Sequence, residues 1–474
     1  MAEPVPFSCS PGDPGYHQSD TSYQQSDTIA AIATAIAPGQ GSVAILRLSG
    51  ERAEAIGQSL FLAPGQQDWQ SHRVLYGHVV DPASGERVDE ALLLLMRAPR
   101  SFTRETVVEF HCHGGLVAIQ RVLELVLAAG ARRALPGEFS QRAFLNGRLD
   151  LTRAEAIGEM INARSRRAAQ LAMAGIDGGL QRRIGGLRER LLDQLAELEA
   201  RVDFEDDLPP LDGAAVAAAL EAVLAELQQL LRDGERGQLL RDGLRVAIVG
   251  RPNVGKSSLL NRLSRRERAI VTDLPGTTRD LVESELVLQG VPLTLLDTAG
   301  IRSTDDRVEQ LGIERSRAAL RSADAVLLLF DLAAGWGADD QQLREAVPEG
   351  VPLLVVGNKA DQLASGVAPA PEADVCISAL NGSGHEQLEA ALLRCCGHGD
   401  AQGLQVALNR RQQDLAAAAA ASLQASLGAA REQLPWDFWT IDLRAAVRSL
   451  GEITGEEVSE AVLDRVFSRF CIGK

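Results

Sequence analysis

Between residues 27 and about 143 the apolar positions switch between a period near two and a period of three to four. Val43–Leu48, Val74–Val80, Ala91–Met96 and Thr106–His111 read as strands, and Gly114–Ala129 as a helix stopped by Gly130. The pattern predicts a compact α+β domain over 27–145. Residues 1–26, rich in Pro, Gly, Ser, Gln and Asp without an apolar period, are expected to form a disordered tail. From Asp150 the texture turns to Ala, Leu, Arg, Glu and Gln. Thr152 and Glu155 have the spacing of a capping box opening a long helix. Leu187–Val202 continues that texture, Pro209–Pro210 breaks it, and Ala214–Leu231 is helical again. The same texture returns after Gly403 through the alanine run Ala416–Ala421. Helix-rich segments at 146–242 and 398–474 therefore flank an insert at 243–397. The plain reading is two helical domains; the economical one is a single bundle with a domain inserted.

The insert alternates strand and helix. Leu244–Val249, Val282–Leu288, Leu293–Leu296, Val326–Phe330, Leu353–Val356 and Val375–Ile377 read as strands, the second and third joined near Gly290, and Ser257–Leu263 as a helix. That implies a mostly parallel sheet covered on both faces. The expected fold class is thus multidomain α/β plus α. Charge and composition then narrow the function. A net charge of −16 argues against coating nucleic acid through an overall field, so any RNA contact must use local patches. The longest apolar runs, such as Ala91–Met96 and Ala325–Phe330, are too short to cross a bilayer, and no signal peptide opens the chain. Six cysteines without a C-x-x-C pair fit a reducing cytosol rather than a disulfide scaffold or zinc ribbon. A cytoplasmic location without a membrane span is expected.

Four signals in order carry the chemistry. Gly250-Arg-Pro-Asn253-Val254-Gly255-Lys256-Ser257-Ser258 follows a strand and opens a helix. Glycines there let backbone N–H groups face phosphates, Lys256 reaches the β/γ-phosphates, and Ser257 ligates Mg2+. Asp297-Thr298-Ala299-Gly300 ends a strand; its carboxylate can hold Mg2+ through water and Gly300 N–H can meet the γ-phosphate. Asn358-Lys359-Ala360-Asp361 follows another, and Asp361 can accept two hydrogen bonds from guanine, which adenine cannot give. Ser378-Ala379-Leu380 offers backbone N–H to the guanine carbonyl. Thr272, Thr277 and Thr278 lie in the loop between the first two signals, with Thr278 as the expected switch threonine on Mg2+. The insert resembles translation-factor-type GTPases. Ile301 stands where many GTPases carry a water-orienting Gln, so another group must orient water; Arg302 is adjacent, yet no cis arginine finger is obvious.

GRPNVGKSS, IVTDLPGTTRD, DTAGIR with VEQLGIERS, NKAD and the terminal Phe470-Cys-Ile-Gly-Lys474 together resemble the MnmE (TrmE) family of tRNA-modification GTPases. IAPGQGSVAILRLSG, SFTRETVVEFHCHGG and PGEFSQRAFLNGRLDLTRAEAI resemble that family's folate-binding module, and the likeness spans about 27 to 474. It implies a homodimeric, K+-activated GTPase whose G domains meet across their nucleotide faces. Asn253, Thr272, Leu274 and Thr277 match the K+ site, and Glu309 matches the catalytic carboxylate. Arg47, Glu109, Arg148 and Lys474 match contacts to 5-formyl-tetrahydrofolate or 5,10-methylene-tetrahydrofolate. Arg148 replaces the commoner Lys, exchanging a point charge for a planar fork. Cys471 is either a nucleophile or a small hydrophobe. The resemblance also implies an FAD-dependent partner, MnmG (GidA), in a heterotetramer acting on tRNA. A flavin partner suits a chain with no G-x-G-x-x-G fingerprint after a strand. The rivals are a ribosome-assembly regulatory GTPase without modification chemistry, and a folate scaffold with a degenerate G domain, which intact Lys256, Ser257, Asp297 and Asp361 oppose. His111-Cys112-His113 lacks an evident third metal ligand, so strand-end packing or ligand contact is expected there. The arginines 164, 166 and 167 and 265, 266 and 268 read as solvated helix faces before they read as RNA contacts.

Overall fold

The computed structural model describes residues 27–36, 41–204, 211–266, 282–297, 320–363, 370–395 and 406–474. The chain divides into two units, Met1–Arg148 with Leu463–Lys474, and Leu149–Val462. In the first, the period-two pattern becomes a seven-stranded sheet in the order β3-β4-β5-β6-β2-β1-β7. The strands are β1 (Ile29–Ile32), β2 (Val43–Ser49), β3 (Phe61–Leu62), β4 (Arg73–Val80), β5 (Arg87–Met96), β6 (Val107–His113) and β7 (Arg132–Arg133). All pairs are antiparallel except β1 with β7. Ala44, Leu46 and Leu48 of β2 and Val108, Phe110 and Cys112 of β6 share a core with Ala53–Leu60 and Leu116–Ala128, the two helices that close one face. The intervening positions, Arg47, Glu109 and His111, fall on the other face. Burial pushes the Cys112 thiol up to about 12, with nearby Asp89 adding to the shift, so this cysteine is no nucleophile.

The texture after Asp150 gives three helices rather than one, Leu151–Asn162, Arg166–Ile176 and Gly179–Phe204. The expected capping box is absent. Asp150, two residues upstream of Thr152, accepts the Arg153 N–H at 3.0 Å and serves as the cap. Glu155 instead takes a two-pronged contact from Arg411, with Nε at 2.6 Å and NH2 at 2.8 Å. Ser165 caps the second helix through the Ala168 N–H.

Ile184, Leu191 and Leu198 from Gly179–Phe204 and Leu220 and Leu227 from Gly213–Asp242 lie in one apolar core. Leu423 from Arg410–Arg431 and Leu443 and Leu450 from Trp436–Thr454 lie in the same core. Segments on both sides of the insert thus bury the same surface, and the bundle is discontinuous. Gly213–Asp242 is long and apolar enough to cross a membrane by length and composition. Its buried positions Val216, Leu220, Val223, Leu227 and Leu230 recur every three to four residues and belong to that core.

The last residues leave the bundle and join the first unit. Phe467 packs against Phe144 and Phe470, at ring separations of 6.3 and 5.5 Å. Gly473 lies so close to β1 that a Cβ there would stand 2.7 Å from the Ile32 carbonyl oxygen.

The insert is a six-stranded sheet in the order β13-β12-β11-β8-β10-β9, parallel except where β9 meets β10. These are β8 (Leu244–Gly250), β9 (Val282–Leu288), β10 (Val291–Asp297), β11 (Ala325–Asp331), β12 (Leu353–Asn358) and β13 (Val375–Cys376). Leu171, from the Arg166–Ile176 helix, shares a core with Leu288 and Val291 at the β9–β10 turn. Arg164 NH1 reaches Glu285 of β9 at 3.3 Å. One member of the arginine cluster is therefore engaged inside the chain.

Candidate functional site

The carboxyl ends of β8, β10, β11 and β12 lie side by side, the place where open α/β sheets hold ligands. From β8 the chain passes through residues 251–255 into the Lys256–Arg266 helix, whose first N–H groups and dipole favour a phosphate. Gly255 adopts φ +100°, and a Cβ there would stand 2.2 Å from Asn358 Nδ2, so only glycine fits. Asn253 also has positive φ, at 64°. Val254 is buried, whereas Asn253, Ser257 and Ser258 are exposed. Lys256 Nζ donates to the carbonyls of Gly250 and Arg251 at 2.6 and 2.9 Å, placing its charge over the loop. Arg251 is fixed by fully buried Asp340, with Nε to Oδ1 at 2.9 Å, and by the Gly335 carbonyl at 3.0 Å. The donor set suits a phosphate chain with Mg2+: backbone N–H groups, one ammonium and the Ser257 hydroxyl.

Asn358, 1% exposed, joins the phosphate loop to the base side. Its Nδ2 donates to the Val254 carbonyl at 2.7 Å and its Oδ1 accepts the Ala379 N–H at 2.9 Å. Lys359, at φ 64°, donates from Nζ to Asp331 Oδ2 at 2.7 Å. Burial works against the charge on Asp331, yet the Lys359 contact and the Ala333 N–H hold its carboxyl below the ordinary range. Ser378 Oγ donates to Asp361 Oδ1, orienting the carboxylate that would read guanine. Two of the three N–H groups expected to meet the base are already engaged: Ser378 N–H with Ser383 O at 3.0 Å, and Ala379 N–H with Asn358.

The first unit holds a second cluster. Arg47 and Glu109 are register partners on β2 and β6, and Arg47 Nε meets Glu109 Oε1 at 2.7 Å. His111 Nε2 lies 3.1 Å from Glu109 Oε2. Burial opposes ionisation of Glu109, but His111 and Arg47 outweigh it and hold its pKa below the ordinary carboxylate value. Arg47 NH1 donates to the Gly473 carbonyl at 3.3 Å, and Cys471 O accepts from Gly137 N at 3.4 Å, so the C-terminal tail borders the pair. The Arg47 guanidinium stands 5.7 Å from the Phe139 ring centre and that of Arg148 5.6 Å from the Phe102 ring centre. Both rings belong to one apolar cluster, so the two cations flank a common patch. Cys471 is exposed. His113 pairs with Asp89 at 2.7 Å, and among the described residues no metal-holding group forms, so His111 and His113 answer to carboxylates.

Family models match this chain as the MnmE helical domain over residues 151–471 and as the GTP-binding protein TrmE N-terminus over residues 28–148. The chain belongs to the MnmE family of tRNA modification GTPases. A tRNA modification GTPase MnmE from Synechococcus sp. (strain RCC307) is 74% identical over 94% of this chain and 98% of its own length. One from Prochlorococcus marinus (strain MIT 9313) is 66% identical over 94% and 98%. The fold is that of the family as the sequence implied: TrmE-type N-terminal α+β domain, discontinuous helical bundle and inserted Ras-like G domain.

Thr272, Leu274, Thr277, Thr278, Thr298, Ala299, Gly300, Arg302 and Glu309 lie outside the described residues, as do residues 1–26 and Pro209–Pro210. Asp297 is described only as the backbone end of β10. The MnmE motifs point to neither Asp331, Asp340 nor Arg262, because their partners sit far along the chain. The one available signal was an Asp ending a strand, which β11 shares with β10.

Proposed function

We propose that this MnmE-family chain hydrolyses GTP in a K+-dependent cycle driven by dimerisation of its G domains. With FAD-dependent MnmG in a heterotetramer, it adds an aminomethyl or carboxymethylaminomethyl group at C5 of the tRNA wobble uridine, using a folate one-carbon unit. The observation that carries this reading is the meeting of Arg47, Glu109 and the C-terminal tail in one unit. A GTPase serving only ribosome assembly needs no such cluster. Glu109 would accept from a pterin's amino edge, while the cations Arg47, Arg148 and Lys474 suit a glutamate tail. Val74, Tyr76 and Leu92 are 57, 47 and 43% exposed on β4 and β5. Leu92 is the register partner of His111, so this apolar strip continues the face that carries Glu109. A second copy seated on it would complete the folate site, which supports the homodimer.

At the nucleotide, Lys256 would neutralise the β/γ-phosphates, and Ser257 and Thr278 would hold Mg2+, with Asp297 acting through water. Asn253, Thr272, Leu274 and Thr277 would hold K+, and Glu309, with Arg302 as a further catalytic candidate, would orient water in the role that Ile301 cannot fill. When bound, Mg2+ and K+ would supply positive charge opposite the oxygens on which negative charge develops. The Arg166–Ile176 helix, seated on the β9–β10 turn, supports transfer of G-domain motion into the bundle. A cytoplasmic location follows from this reading.

GTP turnover should rise at least about tenfold when K+ replaces Na+, since charge at this position in other GTPases is worth far more. Equal rates would remove the ion from the mechanism. Mass spectrometry of wobble uridines from a deletion strain decides against the ribosome-assembly alternative if the modified base disappears, and for it if the base persists. In folate titrations Glu109→Ala should weaken binding roughly ten- to a hundredfold, the value of a charged hydrogen-bond partner. Deletion of Lys474 should weaken it as well. Unchanged affinities would overturn the N-terminal assignment.

A further inference from the structure

The turn formed by Leu380 and Asn381 is held by one side chain from a distant element. Arg262, on the Lys256–Arg266 helix that starts at the phosphate loop, donates NH1 to the Leu380 carbonyl at 2.7 Å. It donates NH2 to the Asn381 carbonyl at 2.9 Å. Gly382, at φ +91°, makes room for the guanidinium: a Cβ there would stand 2.1 Å from Arg262 NH2. The Leu380 side chain is 80% exposed, so apolar packing does not fix the turn and hydrogen bonds must. Those bonds form a ring. Asn358 ties Ala379 to Val254 at one end of the turn, Asn381 N–H reaches Ser378 Oγ at 3.2 Å within it, and Arg262 ties the other end to the helix.

Because the N–H groups of Ser378 and Ala379 are engaged, the donor of this trio left for a base carbonyl is that of Leu380. Among the described residues no acceptor is paired with it. We propose that Arg262 is a positioning residue for guanine recognition, clamping the carbonyls of Leu380 and Asn381 so that the turn holds the Leu380 N–H toward the 6-oxygen of the base. The inference rests on the GTP reading and adds a determinant of base selectivity to it. The fork geometry matters: a guanidinium spans two carbonyls at once, whereas an ammonium is a single point charge.

The test uses the full chain and two nucleotides competing against a fluorescent GDP. GTP carries the 6-oxygen; 6-thio-GTP keeps the N1 and N2 donors that Asp361 would read but offers sulfur, a weak acceptor. Wild type should prefer GTP. Arg262→Ala should weaken GTP by about tenfold, the loss of one well-placed hydrogen bond, and weaken 6-thio-GTP clearly less. The loss should appear in KM rather than kcat. Arg262→Lys should fall between the two. Gly382→Ala, which drives the guanidinium off its carbonyls, should reproduce the loss of preference independently. Equal weakening of both nucleotides, or no weakening, overturns the role of Arg262. A wild-type chain that binds neither nucleotide overturns the GTP reading instead, so the two failures are distinguishable.

Discussion

Asn358→Ala should lower GTP affinity by at least about thirtyfold. The side chain is almost wholly buried and both ends of its amide are engaged, Nδ2 with Val254 O and Oδ1 with Ala379 N–H. Truncation leaves a buried carbonyl and a buried N–H without partners, each costing about 1–3 kcal/mol. Two such losses together span roughly one and a half to four powers of ten. The cost falls on the nucleotide because the two orphaned groups belong to the phosphate loop and to the base loop. Gly255, which leaves room for the amide only by lacking a Cβ, would gain a void beside it. Asn358→Asp should be no better: it keeps an acceptor for Ala379 but sets a carboxylate against the Val254 carbonyl. Titration with a fluorescent GTP analogue checks both variants. Affinities within threefold of wild type would mean that the strap is dispensable and that each loop holds itself.

The elements that a short window can specify were legible. The β8–loop–helix order around Gly255 and Lys256 is local, and the structure forms it where the glycine spacing places it. The N-terminal sheet follows its alternating pattern, with each strand end shifted by a few residues at most for β2, β4 and β6. What distance decides was not legible. Asp150 takes the cap because the helix begins at Leu151, one residue before Thr152, and Glu155 is held by Arg411, 256 residues further on. Residues 463–474 belong to the N-terminal unit, where Arg47 reaches Gly473, a contact across 426 positions that no periodicity in a helical tail announces. Arg262 and Arg142 look like ordinary helix arginines in the sequence; only their long-range partners set them apart. A resemblance to a family supplies Arg47, Glu109 and Lys474, whereas the carboxylate geometry, with His111 on the second oxygen, comes from strand register alone.

Replacing Arg142 by Met should destabilise the N-terminal unit by about 3–5 kcal/mol, the usual cost of removing one partner from a buried ionic cluster. Its side chain is 2% exposed. NH1 donates to Asp27 O at 2.9 Å and Glu105 Oε1 at 3.1 Å, and NH2 to Asp27 Oδ1 at 2.7 Å and Glu138 Oε1 at 3.1 Å. Arg132 supports two of these carboxylates, Asp27 and Glu138, but is itself partly exposed. Burial alone would raise the pKa of Asp27 and of Glu138. The bonds from Arg132 and Arg142 reverse the sign and hold both below their ordinary values of 3.8 and 4.5. Carboxylates depressed in the folded state stabilise it fully above those ordinary values, and the contribution disappears as pH falls through the lower folded ones. Without Arg142 the depression shrinks, so the variant's deficit should be greatest at neutral pH and narrow below about pH 4. Hydrogen exchange at the β1 amides, Ile29–Ile32, reads this unit separately from the rest of the chain. Protection equal to wild type at pH 7, or a deficit that stays constant into acid, would show that Arg132 alone carries the cluster and that Arg142 is held there by packing rather than by charge.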